Sequence, residues 1–358
     1  MDMTLRWYGP GYDTVTLEQI KQIPGVNGVI TTLMGKQAGE LWEAAEIKEL
    51  KQSVEQTGLL LMGIESVNVS DDIKLGTPKR EEHLEHYIKT LENLGKEGIQ
   101  MVCYNFMPVF DWTRSELARK REDGSAVLAY NQDIVDQINP EHLKASFEKM
   151  SGGFMLPGWE PERLGKLKEL FAAYDGMDDE ALFQNLIYFL KAIQPVCEKY
   201  GIRMGIHPDD PAWPIFGLPR IVRSKETIER LLRTVDAPFN GITLCTGSLG
   251  SNPANDIPEI IKAASGRIPF AHVRNLKYNT ERDFEEAAHL SADGSMDMYA
   301  VMKALYDTGF DGIIRPDHGR MIWGEQAMPG YGLYDRALGA CYLQGLWEAI
   351  SKSAEEKI

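Results

Sequence analysis

Eight short apolar runs alternate with longer stretches patterned like helices almost throughout this chain and leave few folds open to it. The runs are Leu5–Tyr8, Val26–Thr32, Leu59–Ser66, Ile99–Phe106, Gly201–His207, Gly241–Cys245, Ile268–Arg274 and Gly312–Asp317. Helical patterns fill the intervals at Leu41–Thr57, Glu81–Lys96, Glu180–Tyr200, Lys225–Thr234, Ile257–Ala264 and Met296–Thr308, with a last one after Tyr334. In the second of these, Leu84, Ile88, Leu91 and Leu94 fall on one face and charges cover the rest. Lys-Tyr-Gly and Asp-Thr-Gly close two helices with glycine, the residue that tolerates the left-handed turn at a helix end. Strands alternating with helices imply a parallel sheet, and eight repeats favour closure into a single α/β (β/α)8 TIM barrel spanning residues 1–358. An open doubly wound sheet is the alternative, and no GxGxxG follows the first strand to support it.

One interval breaks the rhythm. Between the fourth and fifth strands, at about residues 111–179, lies far more chain than one crossover helix needs. It holds a charged run (Arg119–Asp123), a helical piece (Pro140–Met150) and the Gly/Pro-rich stretch GGFMLPGW. Loops that follow strands sit above the mouth of a barrel, so this segment is expected to be a helical insertion serving as a lid or a subunit contact.

A formal net charge of −15 argues against nucleic acid and anionic membrane as partners. It also repels any anionic substrate at long range, so a pocket for one must carry its own positive charge, from a metal or an arginine. No run approaches the roughly 18 apolar residues of a membrane span, and the first residues do not read as a signal peptide. The four cysteines (Cys103, Cys197, Cys245 and Cys341) form no CxxC pair, which points to a reducing compartment. A soluble, cytoplasmic protein is expected.

The residue that ends a barrel strand faces the catalytic mouth. The last four runs end in or carry His207, Cys245, His272 and Asp317, so four successive strands each deliver one metal-competent side chain to the same end. Two imidazoles, a thiol and a carboxylate form a mixed set able to hold Mn²⁺, Fe²⁺ or Zn²⁺, and the sulfur argues against Mg²⁺ and Ca²⁺. A lone histidine or cysteine at such a place is usually core; four in register point to a metal site. His83 and His86 have i, i+3 spacing but lie in a crossover helix, and with His142 and His289 are assigned packing or surface roles.

Arg274 lies two residues beyond His272, on the same strand face. Its fork suits a substrate carboxylate, although pairing with an acidic neighbour is the other reading. His318 follows a ligand directly, leaving its imidazole free for acid or base work. Tyr331, between two glycines, can reach into the mouth, and Trp7 in RWYGP is a candidate stacking platform for a sugar.

These segments (RWYGP, IHPDDP at 206–211, LCTGSLG at 244–250, HVRN at 272–275 and RPDHGR at 315–320) together resemble the mannonate dehydratase family over essentially the whole chain. The resemblance implies a xylose isomerase-like barrel and dehydration of D-mannonate to 2-keto-3-deoxy-D-gluconate in hexuronate catabolism, with Mn²⁺ or Fe²⁺ as cofactor. It implies His207, Cys245, His272 and Asp317 as metal ligands and His318 and Tyr331 as catalytic residues, with Tyr334 one helical turn away as a rival to Tyr331. Arg274, Asn275 and Trp7 are the expected substrate contacts, and a homodimer the expected assembly. A metal-dependent sugar isomerase or epimerase on the same fold is the alternative activity; such enzymes usually hold their metals with carboxylate oxygens.

Overall fold

The computed structural model describes residues 1–138 and 165–355. Twelve strands stand among the described residues, numbered here along the chain. Eight of them form a closed, all-parallel barrel: β1 (Asp2–Arg6), β2 (Val26–Thr31), β3 (Leu60–Glu65), β4 (Met101–Tyr104), β7 (Arg203–Ile206), β8 (Asn240–Cys245), β9 (Phe270–His272) and β12 (Ile313–Arg315). Closure is made by β1, which pairs with β2 on one side (Leu5 opposite Val29) and β12 on the other (Met3 opposite Ile314). All eight expected strands therefore exist, and the fold class is as read.

The helices between them follow their local signals. Asp178 caps the helix Asp179–Tyr200 by accepting from the Ala181 N–H, and Gly201 ends it in the left-handed conformation. Ser224 and Thr227 form a reciprocal capping box at the start of Lys225–Thr234. The apolar stripe of Arg80–Lys96 buries Leu84, Leu91 and Leu94 against the core, with Tyr87. Burying a stripe of this kind is what stabilises a helix in water. His83 and His86 of that helix bond Ser70 Oγ and the Gly39 carbonyl, and neither lines the cavity described below. No helix among the described residues is long and apolar enough to cross a membrane.

Three boundaries differ from expectation, and each difference has a physical reason. The first strand is Asp2–Arg6 rather than Leu5–Tyr8, because the Asp2 N–H bonds the Gly312 carbonyl and sets the register early. Trp7 and Tyr8 thus belong to the loop that follows. The seventh run splits after His272, and the chain continues into β10 (Asn275–Thr280) and β11 (Asp283–Ala287), a hairpin outside the barrel. Finally, the segment expected as a helical insertion begins as another hairpin, β5 (Glu116–Lys120) and β6 (Ala126–Asn131), followed by the short helix Gln132–Asp136. The expected helical piece Pro140–Met150, with His142, and the GGFMLPGW stretch lie outside the described residues.

The two hairpins join in one antiparallel sheet, ordered β10-β11-β6-β5. Within it Phe284 of β11 pairs with Tyr130 of β6, and their rings stack at 5.5 Å. The loop after the fourth barrel strand is thereby tied to the loop after the seventh.

Barrel closure requires backbone to approach backbone closely at a few points. At Gly241 a Cβ would lie 2.4 Å from the Arg267 carbonyl oxygen and 3.0 Å from Pro269 Cδ, neither of which can rotate away. Gly241→Ala is therefore expected to cost about 1–3 kcal/mol, the usual penalty of overpacking, visible as a lowered Tm. An unchanged melting curve would show that the strand shifts freely at this position.

Candidate active site

Four barrel strands deliver the expected side chains to one end. Cys245 is the last residue of β8 and sits opposite His272, the last residue of β9; His272 in turn sits opposite Arg315 of β12. His207 follows β7 directly. The ligand-capable atoms of His207, Cys245 and His272 all lie within 4.8 Å of one another. His207 Nδ1 donates to the Pro208 carbonyl at 2.8 Å, which in the neutral ring leaves the Nε2 lone pair free. Cys245 and His272 are fully buried, and His272 Nε2 has no hydrogen-bond partner. Two imidazoles and a sulfur converging in this way, one with an orphaned buried nitrogen, fit a single borderline transition-metal ion.

Asp317 stands beside this cluster rather than within it. Its Oδ2 is 3.6 Å from Cys245 Sγ and its Oδ1 is 3.7 Å from His272 Nδ1. Both oxygens are occupied: Arg274 Nε donates to Oδ2 at 2.7 Å, and Arg315 Nη2 reaches Oδ1 at 2.7 Å. Burial works against its charge, but His318, Arg315, His272 and Arg274 together hold the carboxyl well below the usual range.

Arg274 is at the centre of a buried charge network. Besides Asp317 it binds Glu286 (2.7 Å) and Asp210 (2.8 Å), and Arg114 bridges the same two carboxylates. Arg315 also reaches Glu65 at 3.0 Å, and Glu65 Oε2 faces His272 Nε2 at 3.5 Å. Four carboxylates (Glu65, Asp210, Glu286 and Asp317) thus meet three guanidiniums. Arg6, also in the lining, adds a fourth guanidinium beside Glu65.

On another wall of the cavity, His318 Nε2 lies 3.0 Å from Tyr331 Oη. The other nitrogen, Nδ1, is 2.8 Å and 3.0 Å from the two oxygens of Glu286. Burial opposes the Glu286 charge, yet His318, Arg274 and Arg114 bring its pKa down to about 2. Burial, with Tyr8 alongside, pushes the Tyr331 phenol well above its ordinary value. The cavity between these walls measures about 600 Å³ out to its open mouth. His207, Asp317, His318 and Tyr331 all line it, with Trp112 at the rim.

Three expected substrate contacts are placed differently. Trp7 is buried in the main apolar core and does not line the cavity, because strand β1 ends earlier than expected. Asn275 is fully buried and holds its own loop, accepting from the Leu276 and Met296 N–H groups and donating to the Leu290 carbonyl. Arg274 does line the cavity, but its N–H groups are committed to carboxylates, which is the alternative reading given above. Of the two tyrosines, Tyr331 faces His318, whereas Tyr334 is exposed beside Trp323. His289 is buried against the Pro316 carbonyl and is structural.

Sequence reading missed Glu65, Asp210, Arg315, Arg114, Glu286 and Trp112. The first three carried a signal: Glu65 and Arg315 lie within two residues of the ends of apolar runs, as His272 does, and Asp210 lies three residues past His207. Arg114 and Glu286 carried none, since Arg114 lies in the loop that leads into β5 and Glu286 in β11, both outside the barrel.

Comparison with known proteins gives a consistent result. The family model described as D-mannonate dehydratase (UxuA) matches residues 1–357. A mannonate dehydratase of Brachyspira hyodysenteriae is 65% identical, covering 98% of this chain and 99% of its own length. One from Thermotoga neapolitana is 57% identical, over 99% of each. The crystal structure of mannonate dehydratase from Streptococcus suis serotype 2 superposes with a TM-score of 0.89 at 44% identity, covering 99% of this chain and 96% of that one. A D-tagatose 3-epimerase-like protein matches at a TM-score of 0.56 and 14% identity, a likeness of fold alone.

The three-residue cluster makes a direct prediction. Titrating the metal-free protein with Co²⁺ should produce a sulfur-to-metal charge-transfer absorption that Cys245→Ala lacks. The same band in the variant would remove Cys245 from the donor set.

Proposed function

The chain belongs to the D-mannonate dehydratase family, and we propose that it removes water from D-mannonate, giving 2-keto-3-deoxy-D-gluconate, through the pair His318 and Tyr331 beside a single metal. The observation that carries this assignment of roles is the 3.0 Å contact between His318 Nε2 and Tyr331 Oη at the edge of a cavity lined by His207 and Asp317. The isomerase alternative has only the fold in its favour.

The chemistry sets three demands. The C2 proton must be removed although it is barely acidic beside a carboxylate, the C3 hydroxyl must leave as water, and the developing charge must be held. His207, Cys245 and His272 would hold the metal, with Asp317 as a fourth ligand once released from its arginines. Mn²⁺ or Fe²⁺ is the proposed ion, and bound there it would supply Lewis acidity toward the substrate's carboxylate.

The protein's own groups then divide the proton work. Tyr331 retains its proton because its site is buried, which suits it to act as the acid. His318 Nε2 takes the proton from C2, the C2–H electrons form the C2=C3 bond, and the C3–O bond breaks as Tyr331 Oη protonates the departing oxygen. Their hydrogen bond then lets the proton on His318 pass to Tyr331, restoring both. The enol product gains a proton at C3 and loses one from the C2 hydroxyl, giving the 2-keto acid. Proton transfer by positioned side chains contributes about 10²–10⁴-fold.

The charge question raised by the sequence falls to the metal: Arg274 and Arg315 are already committed to carboxylates, so the bound ion would supply the positive charge that a sugar acid needs. A homodimer in the cytoplasm completes the proposal; four free cysteines support a reducing compartment.

His318→Asn and Tyr331→Phe are each expected to lower turnover of D-mannonate by about 10²–10⁴-fold while metal content stays at the wild-type level. Tyr334→Phe should retain near-normal turnover. Formation of the 2-keto-3-deoxy acid, followed by NMR, is the measurement. Normal activity in either of the first two variants would refute the assigned roles.

A further inference from the structure

We propose that Glu286 is the positioning residue of His318, holding its proton on Nδ1 and turning Nε2 toward Tyr331 and the cavity. The inference rests on the reading of His318 and Tyr331 as the catalytic pair, and it adds a residue from outside the barrel to that pair.

The hydrogen-bond directions are fixed by chemistry. An ionised carboxylate only accepts, and both oxygens of Glu286 lie within 3.0 Å of His318 Nδ1, so that nitrogen carries a hydrogen. In the neutral ring Nε2 is then the acceptor, and the phenol of Tyr331 stands 3.0 Å away to donate to it. With the proton on the other nitrogen, a lone pair would face a carboxylate and a base could not form at Nε2. Fixing the tautomer is therefore a condition of the chemistry as well as of packing.

Glu286 is itself held from three directions. Arg114 Nη2 (3.0 Å) and Arg274 Nη1 (2.7 Å) both donate to Oε1. Its strand, β11, is locked by the stacking of Phe284 on Tyr130. Glu286 is 3% exposed, so water does not compete for these contacts. The antiparallel sheet thus delivers a rigid carboxylate to the back of the imidazole, much as an outer-shell acid orients a ligating or catalytic histidine elsewhere. A purely structural role would make Glu286 only a counter-ion for Arg114 and Arg274.

Two measurements separate these roles. In wild-type protein labelled with ¹⁵N-histidine, with His318→Asn used for assignment, the His318 proton is expected on Nδ1; a neutral ring protonated on Nε2 would overturn the proposal, and no variant has to fold for this result. In Glu286→Gln, kcat on D-mannonate is expected to fall about 10–100-fold, the usual effect of losing an outer-shell partner. KM should stay within about threefold and metal content should be unchanged, as expected for an interaction that acts on the chemical step. Glu286→Asp, which keeps the charge, should recover part of the lost kcat. An unchanged kcat in the Gln variant, or a loss of kcat matched by loss of metal and a collapsed Tm, would reduce Glu286 to a counter-ion. Wild-type protein that leaves D-mannonate unconsumed would instead defeat the functional reading, while the tautomer measurement would still stand.

Discussion

The arrangement of the mouth depends on a buried cluster of charges in which Arg114, Arg274 and Arg315 bind Asp210, Glu286, Asp317 and Glu65. Charges this deep are tolerated only when each has several partners, since removing one partner from a buried pair typically costs about 3–5 kcal/mol. Arg274 shows the economy of the solution. Its planar fork reaches Asp317, Glu286 and Asp210 at once, so one side chain joins the carboxylate beside the metal-binding cluster to the carboxylate behind His318. Lysine, with a single ammonium, offers no equivalent geometry. Positions on or just beyond four barrel strands, on one hairpin and in the loop leading to the other are in this way referred to a common frame.

The cluster also explains why Asp317 does not coincide with the three ligand-capable atoms. In the described state its oxygens satisfy Arg274 and Arg315, and the backbone at Asp317 adopts a left-handed φ of 57° that a non-glycine residue rarely takes. A divalent ion would compete with two guanidiniums for the same carboxylate. The arginines would retain Glu65, Asp210 and Glu286 as partners after such an exchange.

The barrel was legible in the sequence because each of its eight strands is a separate apolar run punctuated by a helix signal. The metal-competent residues were legible for the same reason: His207, Cys245 and His272 sit at strand ends, where the fold fixes the direction a side chain takes. Boundary errors arose where register, rather than composition, decides the outcome. Trp7 looked like a rim residue only because β1 was placed three residues late. Asn275 was expected among the substrate contacts, whereas the chain leaves the barrel after His272 and Asn275 holds its own loop. Glu286 and Arg114 were invisible for a deeper reason: they are brought together by the pairing of two hairpins about 150 residues apart, and no local pattern in either hairpin reports its partner. The strands at the start of the insertion were missed in the same way, since β5 and β6 form by pairing with a sheet whose other half had not been recognised.

The antiparallel sheet of β10, β11, β6 and β5 sits outside the closed ring of barrel strands, and its hydrogen bonds are separate from those that close the ring. Regions of this kind can open as independent units while the remainder of a protein stays folded. Because the carboxylate behind His318 travels with that sheet, loosening it would disarm the imidazole with the ring of strands still intact. On warming, turnover would then disappear before the barrel melts, and the heat tolerance of the catalyst would be set by its smaller sheet.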